Sequence, residues 1–510
     1  MEMKLEDICN ELRQGKRKVK NRSRQVKSGD IYVLFPAVQG SKARESALDR
    51  AVQNGAWCII GPEKYLKKYP DLNCYITDDH HGIFEKLQIA AYKKDADYIP
   101  VVGITGTNGK TTSTYLLEHL YIAHHKKCGV MGTIEFRWPG VKIESFRTTP
   151  TCEGFHSNLY QMKQAGAEAA FVEISSFSLL ENRVAGIPFS YVAFTNLTCD
   201  HLDVHKTMEK YFQAKRKLFT LVSKNIPKII NLDDPYGKRL LEEFPDAIAY
   251  SLKPIQGYKN FINANIINMS RYGMIIDFNA QIFGLKNNWR IETPLIGKHN
   301  VSNLLLVSAV GLAMGFSADD FQCFRDFHNP PGRLERIETS GEYSSCDIYV
   351  DYAHTPDGLY SVLTALRELR PARVLAVFGC GGDRDRSKRP LMGEAVAQLA
   401  DLMILTSDNP RSEDPLAILE EIKAGVVSQG RVERTPEAYA KDPQNGFVAL
   451  PDRREAIRYA VSLMQAGDVL LIAGKGHETY QIVGSKRLHF DDREEARAAL
   501  QEMTTLRCSP

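Results

Sequence analysis

Apolar positions along this chain fall into two rhythms. Short, largely apolar runs rich in β-branched residues alternate with longer stretches whose apolar positions recur every three or four residues. In the middle of the chain the short runs are Ala169–Ile174, Tyr191–Thr195 and Lys228–Asn231, and towards its end Val374–Gly379, Leu402–Ser407 and Asp468–Ala473. Strands of a parallel sheet read this way because helices cover both of its faces. The longer stretches, among them Phe155–Ala165, Met208–Leu221, Pro415–Ala424 and Arg454–Gln465, are the helices between. Before residue 98 a smaller set repeats the pattern, with strands at Ile31–Phe35 and Trp57–Ile60 and a helix at Glu45–Asn54. The pattern predicts an α/β protein of three domains: residues 1–98, residues 99–333 with a mainly parallel sheet, and residues 334–510. No internal repeat, low-complexity tract or long linker interrupts it.

Length agrees, since 510 residues exceed what one ordinary core serves. A hydrophobic content of 43% with 25% charged residues is that of a globular protein. A net charge of +3 is nearly neutral for this size and gives no support to nucleic-acid or membrane-surface binding. The basic stretch Arg13–Lys27 reads as a solvated loop beside the first helix. Ten scattered cysteines, with no C-x-x-C pair, point to reduced thiols rather than a disulfide frame or a zinc site. Met1–Asn10 mixes charge into its apolar residues, unlike a signal peptide, and no apolar run approaches membrane-spanning length. The expectation is a soluble cytoplasmic protein.

The densest chemistry lies at Val101–Thr112. The run Val101-Val102-Gly103-Ile104-Thr105 leads into Gly106-Thr107-Asn108-Gly109-Lys110-Thr111-Thr112, and a helix-forming run from Ser113 to Ala123 leaves it. Strand, glycine-punctuated loop and helix in that order make a phosphate-binding loop. Backbone N–H groups cradle the phosphates, the lysine reaches the outer ones, the next threonine ligates Mg²⁺, and the helix N-terminus adds its positive dipole end. The strict pattern places glycine six residues before the lysine. Here Ile104 stands there and the glycines fall at 103, 106 and 109, so the loop is a variant. The chain is expected to bind a nucleoside triphosphate.

Functional residues of parallel sheets gather at the carboxyl ends of strands. In the middle region those ends carry Glu173-Ile174-Ser175-Ser176, the run Thr195–His205, and Asn231–Pro235. Glu173 is a candidate Mg²⁺ ligand, since the hard cation takes oxygen donors; its alternative is a salt-bridged strand terminus. His201 and His205 have the i, i+4 spacing of a zinc-protease helix, but the general-base glutamate is missing. His201 is therefore read beside a nucleotide metal and His205 as structural. In the last domain four strand ends carry polar runs: Asp351–Asp357, Gly379–Arg386, Asp408–Arg411 and Gly474–Glu478. Near the N-terminus Arg22-Ser23-Arg24 and Ala37-Val38-Gln39-Gly40 sit in loops that could hold a ligand or be ordinary turns. Lys215, read from its helix alone, is a surface lysine.

Five segments together resemble one family. They are Gly-Thr-Asn-Gly-Lys-Thr-Thr at 106–112, Asn-Leu-Thr-x-Asp-His-Leu-Asp at 196–203, Pro-Gly-Arg-Leu-Glu-Arg at 331–336, Asp-Tyr-Ala-His-Thr-Pro-Asp at 351–357 and Gly-Lys-Gly-His-Glu at 474–478. The resemblance is to the Mur ligases of peptidoglycan precursor synthesis, and it covers essentially the whole chain. It implies an N-terminal domain holding a uridine nucleotide, a central P-loop ATPase-like domain holding ATP, and a Rossmann-like C-terminal domain holding an amino acid. The implied reaction is ATP-dependent amide formation: a UDP-muramoyl dipeptide is activated as an acyl phosphate and meso-diaminopimelate is added.

The resemblance also implies roles. Gly106, Thr107, Asn108, Gly109, Lys110, Thr111 and Thr112 would hold ATP, with Asn300, Arg333 and Asp351 completing that site. Thr111, Glu173, His201 and Lys215 would serve Mg²⁺, and Lys110, Glu173, His201 and Lys215 would carry catalysis. Lys215 aligns with the lysine that the family carbamylates with CO₂, which turns a cation into an anion. Ser23 would sit at the uracil, and Thr148, Thr149, Ser175 and Arg183 on the muramoyl peptide. Arg384, Asp408, Asn409, Arg411, Gly474 and Glu478 would contact the amino acid, with Glu478 facing its distal ammonium. A guanidinium at 411 suits the second carboxylate of meso-diaminopimelate, which L-lysine lacks. Its alternative is a surface arginine after a turn proline. Three positions depart from the family pattern: Phe177 replaces a usual histidine, Gln39-Gly40 lacks the following Asp-Gly, and Glu181 stands where a neutral polar residue is usual. A monomer acting on small molecules is expected. The rivals are a lysine-adding relative, folylpolyglutamate synthetase, which would start close to its phosphate loop, and a non-catalytic ATP-binding regulator.

Overall fold

The computed structural model describes residues 2–35, 41–92 and 98–508, so the loop Ala37–Gly40 named above lies outside the described residues. The chain divides into two compact units, residues 1–102 with 127–190, and residues 103–126 with 191–510.

The first unit opens with a parallel sheet in sequence order: β1 (Val19–Lys20), β2 (Ile31–Val33), β3 (Cys58–Gly61) and β4 (Asn73–Ile76). Successive residues of a strand face opposite sides, and Ile31-Tyr32-Val33-Leu34 shows it. Ile31 and Val33 enter one core with Ile8, Leu12, Phe84, Leu87, Cys152 and Ala185. Tyr32 and Leu34 enter another with Leu48, Ala51 and Ile59. Strand β5 (Val101–Thr105) begins in this unit and ends in the second. There follow β6 (Cys128–Met131), β7 (Glu135–Trp138), β8 (Val141–Glu144) and β9 (Ala169–Glu173). β6 pairs with β9 in parallel and with β7 antiparallel, and β7 pairs with β8.

In the second unit β10 (Phe189–Phe194, from Tyr191 on), β11 (Lys228–Asn231), β12 (Ile248–Ser251) and β13 (Phe261–Ser270) pair in parallel. β13 then continues into an antiparallel meander with β14 (Gly273–Ile282) and β15 (Leu285–Thr293). The sequence reading did not anticipate this meander. Its signal is present, because Met274, Ile276, Phe278, Ala280 and Ile282 are buried while the residues between them are not. The helix Lys298–Ala313 covers it, with Val301, Leu304, Leu305 and Leu306 wholly buried.

The last sheet comprises β16 (Glu335–Ile337), β17 (Asp347–Asp351), β18 (Val374–Phe378), β19 (Leu402–Leu405), β20 (Val432–Glu433), β21 (Gly446–Ala449) and β22 (Val469–Ala473). Its order is β16-β17-β22-β18-β19-β21-β20, parallel except for β16. Val374, Ala376 and Phe378 pack on one face with Leu359, Met392 and Ile418, and Leu375 and Val377 on the other with Ala456, Ile457 and Ala496. Because β17, β22, β18 and β19 are neighbours, the four polar strand ends stand side by side at one edge. A hairpin of β23 (Tyr480–Val483) and β24 (Lys486–His489) follows. Among the described residues no helix is long and apolar enough to cross a membrane.

Candidate functional site

The phosphate loop runs from the end of β5 to the helix Lys110–Ala123, whose N-cap is Gly109. Gly106 has φ +148° and Gly109 φ +89°, and a Cβ at Gly106 would stand 1.7 Å from Thr195 Oγ1. The end of β10 shapes the loop. The N–H of Thr107 donates to Asn196 O at 2.9 Å, and that of Asn108 to Asn196 Oδ1 at 2.9 Å. Lys110 Nζ donates to the carbonyls of Gly106 (2.8 Å) and Thr107 (2.9 Å), curled over the loop it would reach across.

Lys215 is not a surface residue. It lies on the inner face of the helix Met208–Thr220, only 2% exposed, with Nζ 2.8 Å from Gly106 O and 4.7 Å from the centre of the Tyr211 ring. The helix packs this side inward with Tyr211, Phe212 and Leu218. Periodicity alone gives a lysine to the outer face, because it cannot show that a buried carbonyl awaits its ammonium. Burial, and then the charge of Lys110, hold its amine well below the ordinary lysine range. His201, with φ +56°, caps the short helix Leu202–His205, and its backbone N–H donates to Asp200 Oδ1 at 2.9 Å. Burial, Lys215 and Lys110 push its imidazole below the usual value against the pull of Asp200. His205 stacks on Tyr211 at 4.7 Å and is pushed down to about 4 by burial and by His201, which fits the structural reading.

Asn300, Arg333 and Asp351 line one recess with Asn108, Gly109 and Thr112. Arg333 Nη2 donates to Thr111 Oγ1 at 3.2 Å and the guanidinium stacks 4.5 Å from the Tyr352 ring centre. Both oxygens of Asp351 accept backbone N–H groups, from Leu334 at 2.6 Å and Ala353 at 2.7 Å, while burial raises its pKa. Asn300 is tied by Nδ2 to Ile296 O and by Oδ1 to Asn303.

At the neighbouring strand ends, Asp408, Asn409, Gly474 and Glu478 come together around the fully buried Lys475. Arg411, at φ +54°, donates from Nη1 to Gly382 O at 2.7 Å and from its backbone N–H to Ile482 O at 3.0 Å. Arg384 is exposed beside it and donates to its neighbour's carbonyl, Asp383 O, at 3.3 Å. The motif Gly474–Glu478 by itself gives Lys475 no role. Burial is what reveals it.

The first unit assembles a second cluster. Thr133 donates from N and Oγ1 to the two oxygens of Glu173, both at 2.9 Å, and contacts Thr148 Oγ1 at 3.2 Å. Thr149 Oγ1 donates to Glu173 O at 2.8 Å and accepts from Ser175 N at 3.0 Å, and Arg183 Nη1 donates to Thr149 O at 3.2 Å. Glu173, Thr148, Thr149, Ser175 and Arg183 thus converge. Thr133, at the end of β6, escaped the sequence reading, since a lone threonine after a glycine carries little signal. Ser23 lies apart, 7% exposed, in a recess lined also by Arg22, Arg24, Tyr32, Arg44 and Arg50.

A nucleotide-cradling loop at a helix start, joined in one unit to a mostly parallel sheet with four polar strand ends, is the architecture of an ATP-using α/β enzyme. Profiles of the Mur ligase middle domain and of the Mur ligase glutamate ligase domain match residues 104–311 and 332–476. The chain is 41% identical over 94% of its length, and 95% of the relative's, to UDP-N-acetylmuramoyl-L-alanyl-D-glutamate--2,6-diaminopimelate ligase of Lawsonia intracellularis. A solved structure of a ligase of that name matches with TM-score 0.66 and 31% identity, over 96% of this chain and 95% of the other. Folylpolyglutamate synthase of Mycobacterium tuberculosis, solved with ADP and AMPPCP, shares the fold at TM-score 0.60 and 17% identity, over 82% of this chain and 94% of the other. The chain belongs to the Mur ligase family.

Proposed function

We propose that this chain joins meso-diaminopimelate to UDP-N-acetylmuramoyl-L-alanyl-D-glutamate, forming an amide with conversion of ATP to ADP and phosphate. It would do so in the cytoplasm, as a step of peptidoglycan precursor synthesis. The observation that carries the reading is the strand end Asp408–Arg411, where the Asn409 amide donates to Glu478 and the Arg411 guanidinium is held at Gly382 O, in the unit that holds the phosphate loop. The relative from Lawsonia intracellularis, named for 2,6-diaminopimelate, supports it.

The side-chain carboxylate of D-glutamate attacks the γ-phosphorus, ADP leaves, and an acyl phosphate forms. The amine of diaminopimelate then attacks the acyl carbon, and phosphate departs from the tetrahedral intermediate. Little of this needs covalent help from the protein; positioning and charge compensation supply the rate. Lys110 and the N–H groups at the start of its helix hold the phosphates, and Arg333, fixed by Tyr352 and Thr111, adds a cation. The cluster of Thr148, Thr149, Ser175 and Arg183 takes the muramoyl peptide. The four arginines around Ser23 suit a nucleoside diphosphate. On this reading residues 1–98 take the uridine end, 99–333 ATP and 334–510 the amino acid.

Mg²⁺ fits the donors present in the unit that holds the phosphate loop, since Thr111 offers a hydroxyl and His201 an imidazole whose pKa burial lowers. When bound it would neutralise phosphate charge. A carbamate at Lys215 also fits. Two ammonium groups at the single carbonyl of Gly106 repel, and a neutral amine is the form that adds CO₂, releasing one proton.

ADP release is the test. It is expected only when the UDP-muramoyl dipeptide, an amino acid and Mg²⁺ are all present, with meso-diaminopimelate preferred over L-lysine. Rapid ATP turnover with neither organic substrate, or a preference for L-lysine, would overturn the assignment.

A further inference from the structure

Lys475 is 0% exposed and stands two residues beyond the end of β22, among the polar strand ends. Its three N–H bonds have three acceptors within reach: Asn409 Oδ1 at 3.1 Å, Asp408 Oδ1 at 3.3 Å and Glu478 Oε2 at 3.5 Å. Asn409 is nearly as buried. Its Oδ1 receives both Lys475 and the backbone N–H of Ile482 (2.9 Å), and its Nδ2 donates to Glu478 Oε2 at 2.8 Å. Neither donor at Oδ1 carries a lone pair, so the amide can stand in one orientation only. An asparagine amide has two acceptor and two donor places. Both acceptor places and one donor are filled within the protein, which leaves a single N–H for a ligand. On Glu478 both contacts fall on Oε2 and, among the described residues, none on Oε1. The loops are held from behind by Arg453, paired with Asp492 at 2.7 Å and donating to the carbonyls of Ala473 (2.8 Å) and Ser407 (3.4 Å).

We propose that Lys475 is a positioning residue for the amino-acid substrate, fixing the Asn409 amide with one N–H turned to the substrate carboxylate and the Glu478 carboxylate with one oxygen left for the distal ammonium. The inference rests on the ligase reading above. A buried lysine that served stability alone would not decide which atom of Asn409 faces the ligand. This one does so together with the backbone N–H of Ile482, because neither group can accept.

Lys475 also sets the charge of Glu478. Burial and then Asp408 hold the Glu478 carboxyl above its usual range, and Lys475 pulls it down. The other charged or titratable groups around it are Arg453 on the helix Arg453–Ser462, Tyr352 after β17 and Tyr480 on β23. Removing the ammonium therefore raises Glu478 further. Ionised Glu478 is the form that takes an ammonium, so the acid limb of kcat/KM for diaminopimelate moves to higher pH.

The experiment is full substrate kinetics on the full chain with Lys475→Met and Lys475→Gln, since KM and a pH limb do not depend on how much of a sample is active. The expected result is a KM for meso-diaminopimelate raised about tenfold or more, with the KM values for ATP and the UDP-muramoyl dipeptide within about twofold. The acid limb shifts upward as well, and propylammonium added to Lys475→Ala lowers the raised KM. If wild type does not use diaminopimelate, the ligase reading itself fails. If wild type does, and either folded variant keeps the wild-type KM and acid limb, Lys475 does not position the substrate. Equal rises in all three KM values also overturn the proposal, since they mark a general loosening.

Discussion

Arg411 is the residue on which the proposed specificity rests, and its setting is unusual for an arginine after a turn proline. Its backbone is left-handed, its N–H is tied to Ile482 and its guanidinium is steadied by Gly382 O. Arg411→Ala should raise the KM for meso-diaminopimelate strongly, because losing one partner of a desolvated charge pair costs about 2–5 kcal/mol. L-Lysine has no second carboxylate and should lose far less. The ratio of kcat/KM for the two amino acids is the measurement, and an unchanged ratio in a folded variant would remove Arg411 from recognition.

Lys215 makes a second prediction at this scale, with the sign set by its lowered amine pKa. Between the folded and the unfolded pKa the unfolded chain binds one more proton, so folding is favoured as pH rises through that window. Lys215→Met removes the buried amine and its proton linkage. In CO₂-depleted buffer the variant should melt above wild type near neutral pH, and the gap should narrow as pH rises, while activity is lost. Bicarbonate should restore activity to depleted wild type and not to the variant. Full activity in Lys215→Met would show that no carbamate is needed there.

Elements bring these residues together by strand order. β22 is the last strand of its sheet in chain order yet inserts between β17 and β18, and this sets Gly474–Glu478 beside Asp351 and Asp408. Gly332 joins two of the sites. At φ +65°, a Cβ there would stand 2.1 Å from Gly476 C and His477 N. The next residue is Arg333 and the opposing segment carries Lys475. Gly332→Ala should therefore push the two segments apart, raising the KM for both ATP and diaminopimelate by about tenfold or more and lowering the melting temperature. A rise in only one of the two would show that the contact does not couple them.

Over the whole chain, sequence domains and packed units do not share edges. The core that takes Ile8, Ile31, Phe84 and Leu87 also takes Cys152 and Ala185. Further ties reinforce it, with Lys20 donating to Glu153 at 2.5 Å, Tyr98 meeting His156 at 3.2 Å and Gly186 donating to Glu85 at 3.1 Å. A fragment of residues 1–98 would leave the helix His80–Tyr92 without the helix Cys152–Gln164 that packs on it. It should show a lower melting temperature and bind a hydrophobic dye more than a chain carried through residue 190. A fragment melting as cooperatively and as high as the longer one would show that the shared core contributes nothing.

The strands of β9, β11, β18 and β19, the helices between them, the phosphate loop and the polar strand ends were legible in the sequence. Each is local: burial on both faces makes a continuous apolar run, and a loop that cradles phosphate needs glycines at short spacing. The meander β13–β15 is written as clearly in alternation, but a strand signal does not say which neighbour it joins. What only the tertiary structure decided is partnership. Lys215 turned inward because Gly106 O waits for it, Thr133 became the holder of Glu173, and Lys475 became the centre of the amino-acid strand ends. The sequence fixes the charge and shape of such side chains. Whether an ammonium meets water or a buried oxygen depends on residues about a hundred positions away, and only folding brings those within 3 Å.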